Sequence, residues 1–118
     1  LTHHSIKFIP GFFKETLPGP VTSLSLLRVD SDLFASTLET LESLYPLLSP
    51  GGWVVFDDWK ISQARCAILV YRQRFNITTP ILMSNTQSSP PFQTLDEIAF
   101  WAKEPSQHAP EKTSQLYL

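Results

Sequence analysis

Four aspartates stand at two places in this 118-residue chain where carboxylates could do chemistry. One apolar run, residues 24–29, ends in Asp30 and Asp32; a second, residues 53–56, ends in Asp57 and Asp58. Carboxylates gathered at one point form an all-oxygen donor set. Such a set suits a hard divalent cation, Mg²⁺ or Ca²⁺, with water and substrate oxygens completing the coordination sphere. A local role competes with this one. Asp is a favoured helix N-cap, and each pair precedes a helix-like segment whose dipole it would complement. Zinc is not indicated: His3 and His4 are adjacent and terminal, His108 lies in the tail, and no Cys/His cluster is present.

Whether the carboxylates meet depends on the elements between them. Leu33, Phe34, Leu38, Leu41, Leu44 and Leu48 recur at helical spacing, so the stretch reads strand, helix, strand. The helix is expected to start after Asp32 and to end near Leu48, because Ser49-Pro50-Gly51-Gly52 cannot continue it. Pro46 is expected to tighten the last turn. Parallel strands joined by a helical crossover share one sheet and release their carboxyl ends on one edge. Open α/β sheets bind ligands at that edge, and strands about 4.8 Å apart let side chains converge on one ion.

Further elements follow in the same way. Residues 5–9 read as a short strand, and Pro10 to Pro20 as loop with one helical turn at residues 12–16. A second helix is expected over residues 62–76, with Ala64, Ala67, Ile68, Val70, Tyr71 and Phe75 inward and Arg65, Arg72 and Arg74 elsewhere. Residues 77–83 read as an edge strand interrupted by Pro80, residues 84–93 as a polar loop, and residues 95–103 as a strand. The tail, residues 104–118, reads as disordered, leaving residues 1–103 as one domain. Trp53 and Cys66 are expected in the core, and Arg28, in an apolar strand, beside a carboxylate, since a buried unpaired charge is costly. Phe12 and Phe13 are expected either to pack under the sheet edge or to contact a cofactor. Trp59, just past the second pair of aspartates, is the aromatic expected to touch a ligand.

Composition narrows the classes. Hydrophobic residues at 42% with three Trp fit a globular chain, and a net charge of −2 gives no reason to invoke nucleic acid or an anionic membrane. No apolar run approaches the roughly 20 residues a membrane span needs. A single cysteine cannot form an internal disulfide, which fits a cytoplasmic location. The chain begins at Leu1 with no visible leader, and is expected to be a piece of something longer.

Three segments then carry a resemblance. GFFKETLP at residues 11–18, SLLRVDSDLFAST at 25–37 and LYPLLSPGGWVVFDDW at 44–59 resemble the macrocin (TylF/MycF-type) O-methyltransferase family. Its pattern reads approximately GWFKDTLP, LRxDGDLYEST and LYPKLxPGGxVIxDDY. Residues 99–103 are similar to its closing GVYWRK strand. The resemblance implies an α/β, partial Rossmann-like class I methyltransferase fold: its C-terminal half, a mostly parallel sheet with flanking helices. It implies S-adenosylmethionine as methyl donor, Mg²⁺ held by Asp30, Asp57 and Asp58, and a small-molecule hydroxyl acceptor, a sugar or similar. The ion would hold neighbouring hydroxyls, lower the pKa of one, and aim it at the sulfonium methyl. Ser31 stands where the family has Gly, Ala35 where it often has Glu, and Phe34 and Trp59 where it has Tyr. With four Gly and no Gly-x-Gly, the chain lacks the family's Gly-rich cofactor turn, so residues 1–118 correspond to the carboxyl-terminal half. An exposed half-sheet makes a homo-oligomer an expectation. The alternatives are a non-catalytic methyltransferase-like remnant or interaction module, and a receiver-like metal- or phosphate-binding domain.

Overall fold

The alternation of residues 24–29 and 53–56 resolves into two parallel neighbours in one sheet. The computed structural model describes residues 5–84 and 98–105. In chain order these form α1 (Phe13–Thr16), β1 (Leu24–Val29), α2 (Phe34–Leu44), a 3₁₀ turn (Tyr45–Leu47), β2 (Leu48–Phe56), α3 (Ser62–Arg74), β3 (Leu82–Met83) and β4 (Ala99–Ala102). The sheet order is β1-β2-β4-β3. β1 and β2 are parallel, with Leu27 opposite Val54 and Val29 opposite Phe56; β4 is antiparallel to both its neighbours. The sheet is therefore mixed, its parallel part being the pair that carries the aspartates. Antiparallel pairing needs no crossover helix, and none intervenes between β3 and β4 among the described residues.

Pro46 sits in the first positions of the 3₁₀ turn and tightens the end of α2, as its place predicts. β2 then starts earlier than expected, at Leu48, and includes the Pro-Gly-Gly segment. It does so irregularly. Leu24 pairs with Leu48 but Leu26 with Trp53, so extra residues of β2 are looped into the ladder. Glycines permit this bulge: Gly51 takes a φ of +84°, and a Cβ on Gly52 would lie 2.8 Å from the carbonyl oxygens of Ser25 and Ser49.

Leu27, Val29, Val54, Phe56 and Trp101 point to the face covered by the helices. They form one core with Leu41 and Leu44 of α2, Ile68 and Tyr71 of α3, and Tyr45, Leu48 and Ile77. Trp101 is fully buried; its indole N–H donates to Tyr45 Oη at 3.1 Å and the Arg72 guanidinium lies 4.5 Å from its ring centre. Lys103, just past β4, is also buried, and its Nζ donates to the carbonyls of Leu48 (2.7 Å), Tyr45 (3.1 Å) and Pro46 (3.4 Å). It adds side-chain donors to the carbonyls around the 3₁₀ turn, where the Tyr45 carbonyl also accepts from the Leu48 N–H.

The opposite face is bare among the described residues, and this corrects one expectation. Trp53 is 43% exposed and Leu26 58%. Both lie on the strand face turned from the helices, because strand side chains alternate. Arg28 shares that face; it is exposed, and lies beside a carboxylate as expected, that of Asp57. Cys66 is exposed too, since it falls off the Ala64, Ala67, Ile68, Tyr71 stripe by which α3 packs. Residues 5–9 are not a strand; Ile6 and Phe8 are exposed, and no strand among the described residues offers them a ladder. The expected strand at 77–83 shrinks to Leu82–Met83, because Pro80 offers no donor. Most of the expected loop at 84–93, most of the tail at 104–118, and His3, His4 and His108 lie outside the described residues. No helix among the described residues is long and apolar enough to cross a membrane.

Candidate functional site

The parallel pair brings its acidic ends together at one edge. The Asp57 N–H donates to the Val29 carbonyl at 3.1 Å, extending the β1–β2 ladder to the point where both strands stop. Beyond it, the segment after β1 is tied to α2. The buried Thr37 hydroxyl donates to the Ser31 carbonyl at 3.1 Å and lies 2.9 Å from the Ser31 hydroxyl. The turn after β2 is tied in turn to α3: Arg65 donates to the Trp59 carbonyl at 3.2 Å, and the Ile61 N–H to the Asp58 carbonyl at 2.9 Å. Gln63 on α3 accepts from the Phe34 N–H at 3.4 Å, joining the starts of the two helices.

Within this frame Asp30, Asp32 and Asp58 each offer a carboxylate oxygen within 4.8 Å of the others. Asp30, Asp57 and Asp58 were expected there, and of these Asp30 and Asp58 lie in the cluster. Asp32 was not assigned to the ion, although its spacing from Asp30 carries the signal: residues two apart in an extended segment share a side. Asp57 turns elsewhere and forms an ion pair with Arg28. None of the four aspartates caps a helix. The N-cap of α2 is Leu33 and that of α3 is Ile61, each without a side-chain cap. The capping alternative is therefore not taken up.

The electrostatics of the cluster are unfavourable without a counter-charge. Asp58 is raised from the ordinary 3.8 to about 6, first by burial, then by hydrogen bonding with Asp30 and by the negative fields of Asp30 and Asp32. Its Oδ2 is buried with no hydrogen-bond partner among the described residues. A buried acceptor left unpaired and facing two further carboxylates fits a divalent cation, and the all-oxygen donors fit Mg²⁺ in particular.

A cavity of about 540 Å³ opens between α1 and the first turns of α2, next in sequence to Asp32. Phe12, Phe13, Leu33, Ala35, Ser36 and Glu39 contribute to its lining. The volume is in the range of small-molecule sites. Trp59 is not among its lining residues and packs, partly buried, against the core. Lys103, just past β4, is turned inward to carbonyls and away from this edge's carboxylates.

Comparison with known proteins identifies the family. The family model described as macrocin O-methyltransferase (TylF) matches residues 1–89. A tetracenomycin-C rhamnosyl 4'-O-methyltransferase of Streptomyces olivaceus is 48% identical over 82 residues, 69% of this chain and 31% of that protein. Demethyldecarbamoylnovobiocin O-methyltransferase of Streptomyces niveus is 40% identical over 84 residues, covering 70% of this chain and 32% of its own. Mycinamicin III 3''-O-methyltransferase of Micromonospora griseorubida is 39% identical over 88 residues, 74% and 35%. The chain thus spans about a third of the length of these curated relatives. Among solved structures, the O-methyltransferase NovP superposes with a TM-score of 0.72 at 34% identity, covering 86% of this chain and 39% of that one. CalS11, a TDP-rhamnose 3'-O-methyltransferase, superposes at 0.59 with 23% identity over 80% of this chain and 39% of its own, a likeness of fold. With its motifs, its parallel acidic edge and these matches in agreement, the chain belongs to the macrocin O-methyltransferase (TylF) family.

Proposed function

We propose that this chain is the cation-bearing, acceptor-facing part of an S-adenosylmethionine-dependent O-methyltransferase domain that methylates a hydroxyl of a sugar or similar small molecule. One observation carries the reading: Asp30, Asp32 and Asp58 converge at the carboxyl ends of two parallel strands, capping nothing, and the Asp58 Oδ2 is buried with no hydrogen-bond partner among the described residues. The printed names of the relatives, which concern rhamnosyl, novobiocin and mycinamicin acceptors, support a glycosidic acceptor.

Asp30, Asp32 and Asp58 would hold the Mg²⁺. When bound, the ion supplies charge that favours an alkoxide over a hydroxyl and orients neighbouring oxygens. The chain's own residues do the rest. The Ser31–Thr37 pair fixes the segment bearing Asp30 and Asp32, and Arg65 fixes the turn bearing Asp58, so the carboxylates need little reordering on binding. The adjoining cavity, with its aromatic Phe12 and Phe13, would receive the apolar part of the acceptor. Trp59 would border the acceptor from the β2 side by its place after Asp58.

Two measurements test the reading. Millimolar Mg²⁺ should raise the melting temperature of the chain, and Asp58→Asn should remove the rise. At 100 times Kd a ligand stabilises by about 2.7 kcal/mol. An unchanged melting temperature, or an equal rise in the variant, counts against the cation site. Calorimetric titration with S-adenosylmethionine in the presence of Mg²⁺ tests the rest: micromolar binding would mean that this part suffices, or dimerises, to complete the cofactor site. A folded chain that binds none would mean that this part alone is not a working methyltransferase.

A further inference from the structure

Residues 30–32 leave β1 with no backbone-to-backbone hydrogen bond among the described residues. What holds them comes from a side chain of α2. Two of that helix's hydroxyls bond back to the preceding turn: Ser36 donates to the Leu33 carbonyl at 3.2 Å and Thr40 to the Ser36 carbonyl at 2.8 Å. Such back-bonding is the common habit of helical Ser and Thr. Thr37 departs from it. Its hydroxyl reaches six residues back, out of the helix, donating to the Ser31 carbonyl at 3.1 Å and lying 2.9 Å from the Ser31 hydroxyl. A hydroxyl has one proton and two lone pairs, so with its proton on the carbonyl Thr37 accepts from the Ser31 hydroxyl. Two bonds thus grip the residue between Asp30 and Asp32. The grip is stiff, because Thr37 is 1% exposed and shares the inward stripe of α2 with Thr40, Leu41 and Leu44. The N-cap residue, Leu33, offers no side-chain bond that could do the same.

We infer that Thr37 is a positioning residue for the acidic edge, carrying the rigidity of the core out to Ser31 and so setting where the segment of Asp30 and Asp32 meets a divalent cation. This rests on the cation site proposed above and deepens it by naming the core side chain through which the site is held. Thr37 acts through Ser31 and needs no contact with the ion. Groups outside a coordination sphere that orient its ligands govern affinity in this way. Without the hydroxyl, residues 30–32 have more conformations open to them. Binding must then order the segment, and the lost freedom is subtracted from affinity.

The test is cation affinity, read by electron paramagnetic resonance of free Mn²⁺ and by calorimetry with Mg²⁺, in chains checked for folding by circular dichroism. Thr37→Val keeps the shape of the side chain and removes both hydrogen bonds. It should weaken Kd about tenfold. Thr37→Ser restores the hydroxyl and should bring Kd back to within about twofold of native. Thr40→Val is the control for a purely structural effect. It removes a buried hydroxyl from the same helix, but one whose bond stays inside that helix. Whatever its melting temperature, Thr40→Val should leave Kd within about twofold of native. Should Thr37→Val not fold, Thr37→Ala gives the same reading. Native affinity in a folded chain lacking the Thr37 hydroxyl would overturn the role. Equal weakening in Thr40→Val, or no recovery in Thr37→Ser, would overturn it as well. Failure of the native chain to bind either ion would overturn the cation site itself, and this role with it, so the native titration tells the two failures apart.

Discussion

Asp58 concentrates the electrostatic problem that a ligand would solve. Its carboxyl is raised to about 6 by burial and by Asp30 and Asp32, whereas an unfolded aspartate titrates near 3.8. Between those values the folded chain holds a proton that the unfolded chain has released. Stability without a cation therefore falls as pH rises through this window. Chelated chain should show that component in melts compared at pH 5 and pH 7, and Asp58→Asn should lack it. Added Mg²⁺ should relieve the loss at pH 7 and do little at pH 5, where the proton occupies the site. Equal pH profiles for native and Asp58→Asn would remove the basis for this cluster's polarity. Arg28 stands at the same scale: its own pKa is raised by the hydrogen bond and charge of Asp57 and, less, by Asp30, so the two carboxylates are within its field.

At the scale of elements, β4 and the end of α2 hold the edge in shape through two buried polar residues. Trp101 fills the centre of the core between Phe56, Tyr45 and Arg72. Lys103 closes the carbonyls of the 3₁₀ turn, and burial pushes its pKa down from 10.5. Lys103→Met keeps the length of the side chain but removes the donor that Nζ gives to the Leu48, Tyr45 and Pro46 carbonyls. The expected loss is about 2 kcal/mol, read as a lower urea midpoint at unchanged slope. Trp101→Ala should cost more, about 3–5 kcal/mol, since it opens a cavity in the middle of the core. A change below 1 kcal/mol in either would mean that the sheet does not depend on β4. The ion pair of Arg74 with Glu42 at 3.7 Å is exposed, and its loss should be near neutral.

Among the described residues the sheet is covered on one side. α2 and α3 pack over one face, while Leu26, Trp53 and Leu82 stand exposed on the other and β1 has no outer neighbour among the described residues. Apolar surface and an open edge on that scale favour association. Light scattering after gel filtration should show mass rising with concentration. The pair Leu26→Ser and Trp53→Ser should suppress the rise without lowering the melting temperature by more than a few degrees. Concentration-independent monomer in the native chain would count against this face as an interface. Relatives three times as long offer the same surface a further possibility, cover by the rest of the domain.

Much of this was legible in the sequence. Helical spacing from Leu33 to Leu48, punctuated by Pro46 and the glycines, determined the strand-helix-strand unit, and topology then determined that both acidic runs, Asp30 with Asp32 and Asp57 with Asp58, share an edge. Motifs at residues 11–18, 25–37 and 44–59 determined the family, because their order is hard to reach by chance. Tertiary structure decided what depends on which side of a strand is covered. Trp53 reads as core in sequence, but becomes core only if something packs on its face, and nothing described does. The same geometry decided between neighbours in the acidic runs. Alternation sends Asp57 to Arg28 and Asp58 to Asp30, and brings in Asp32, because side chains one residue apart at a strand end leave on opposite sides.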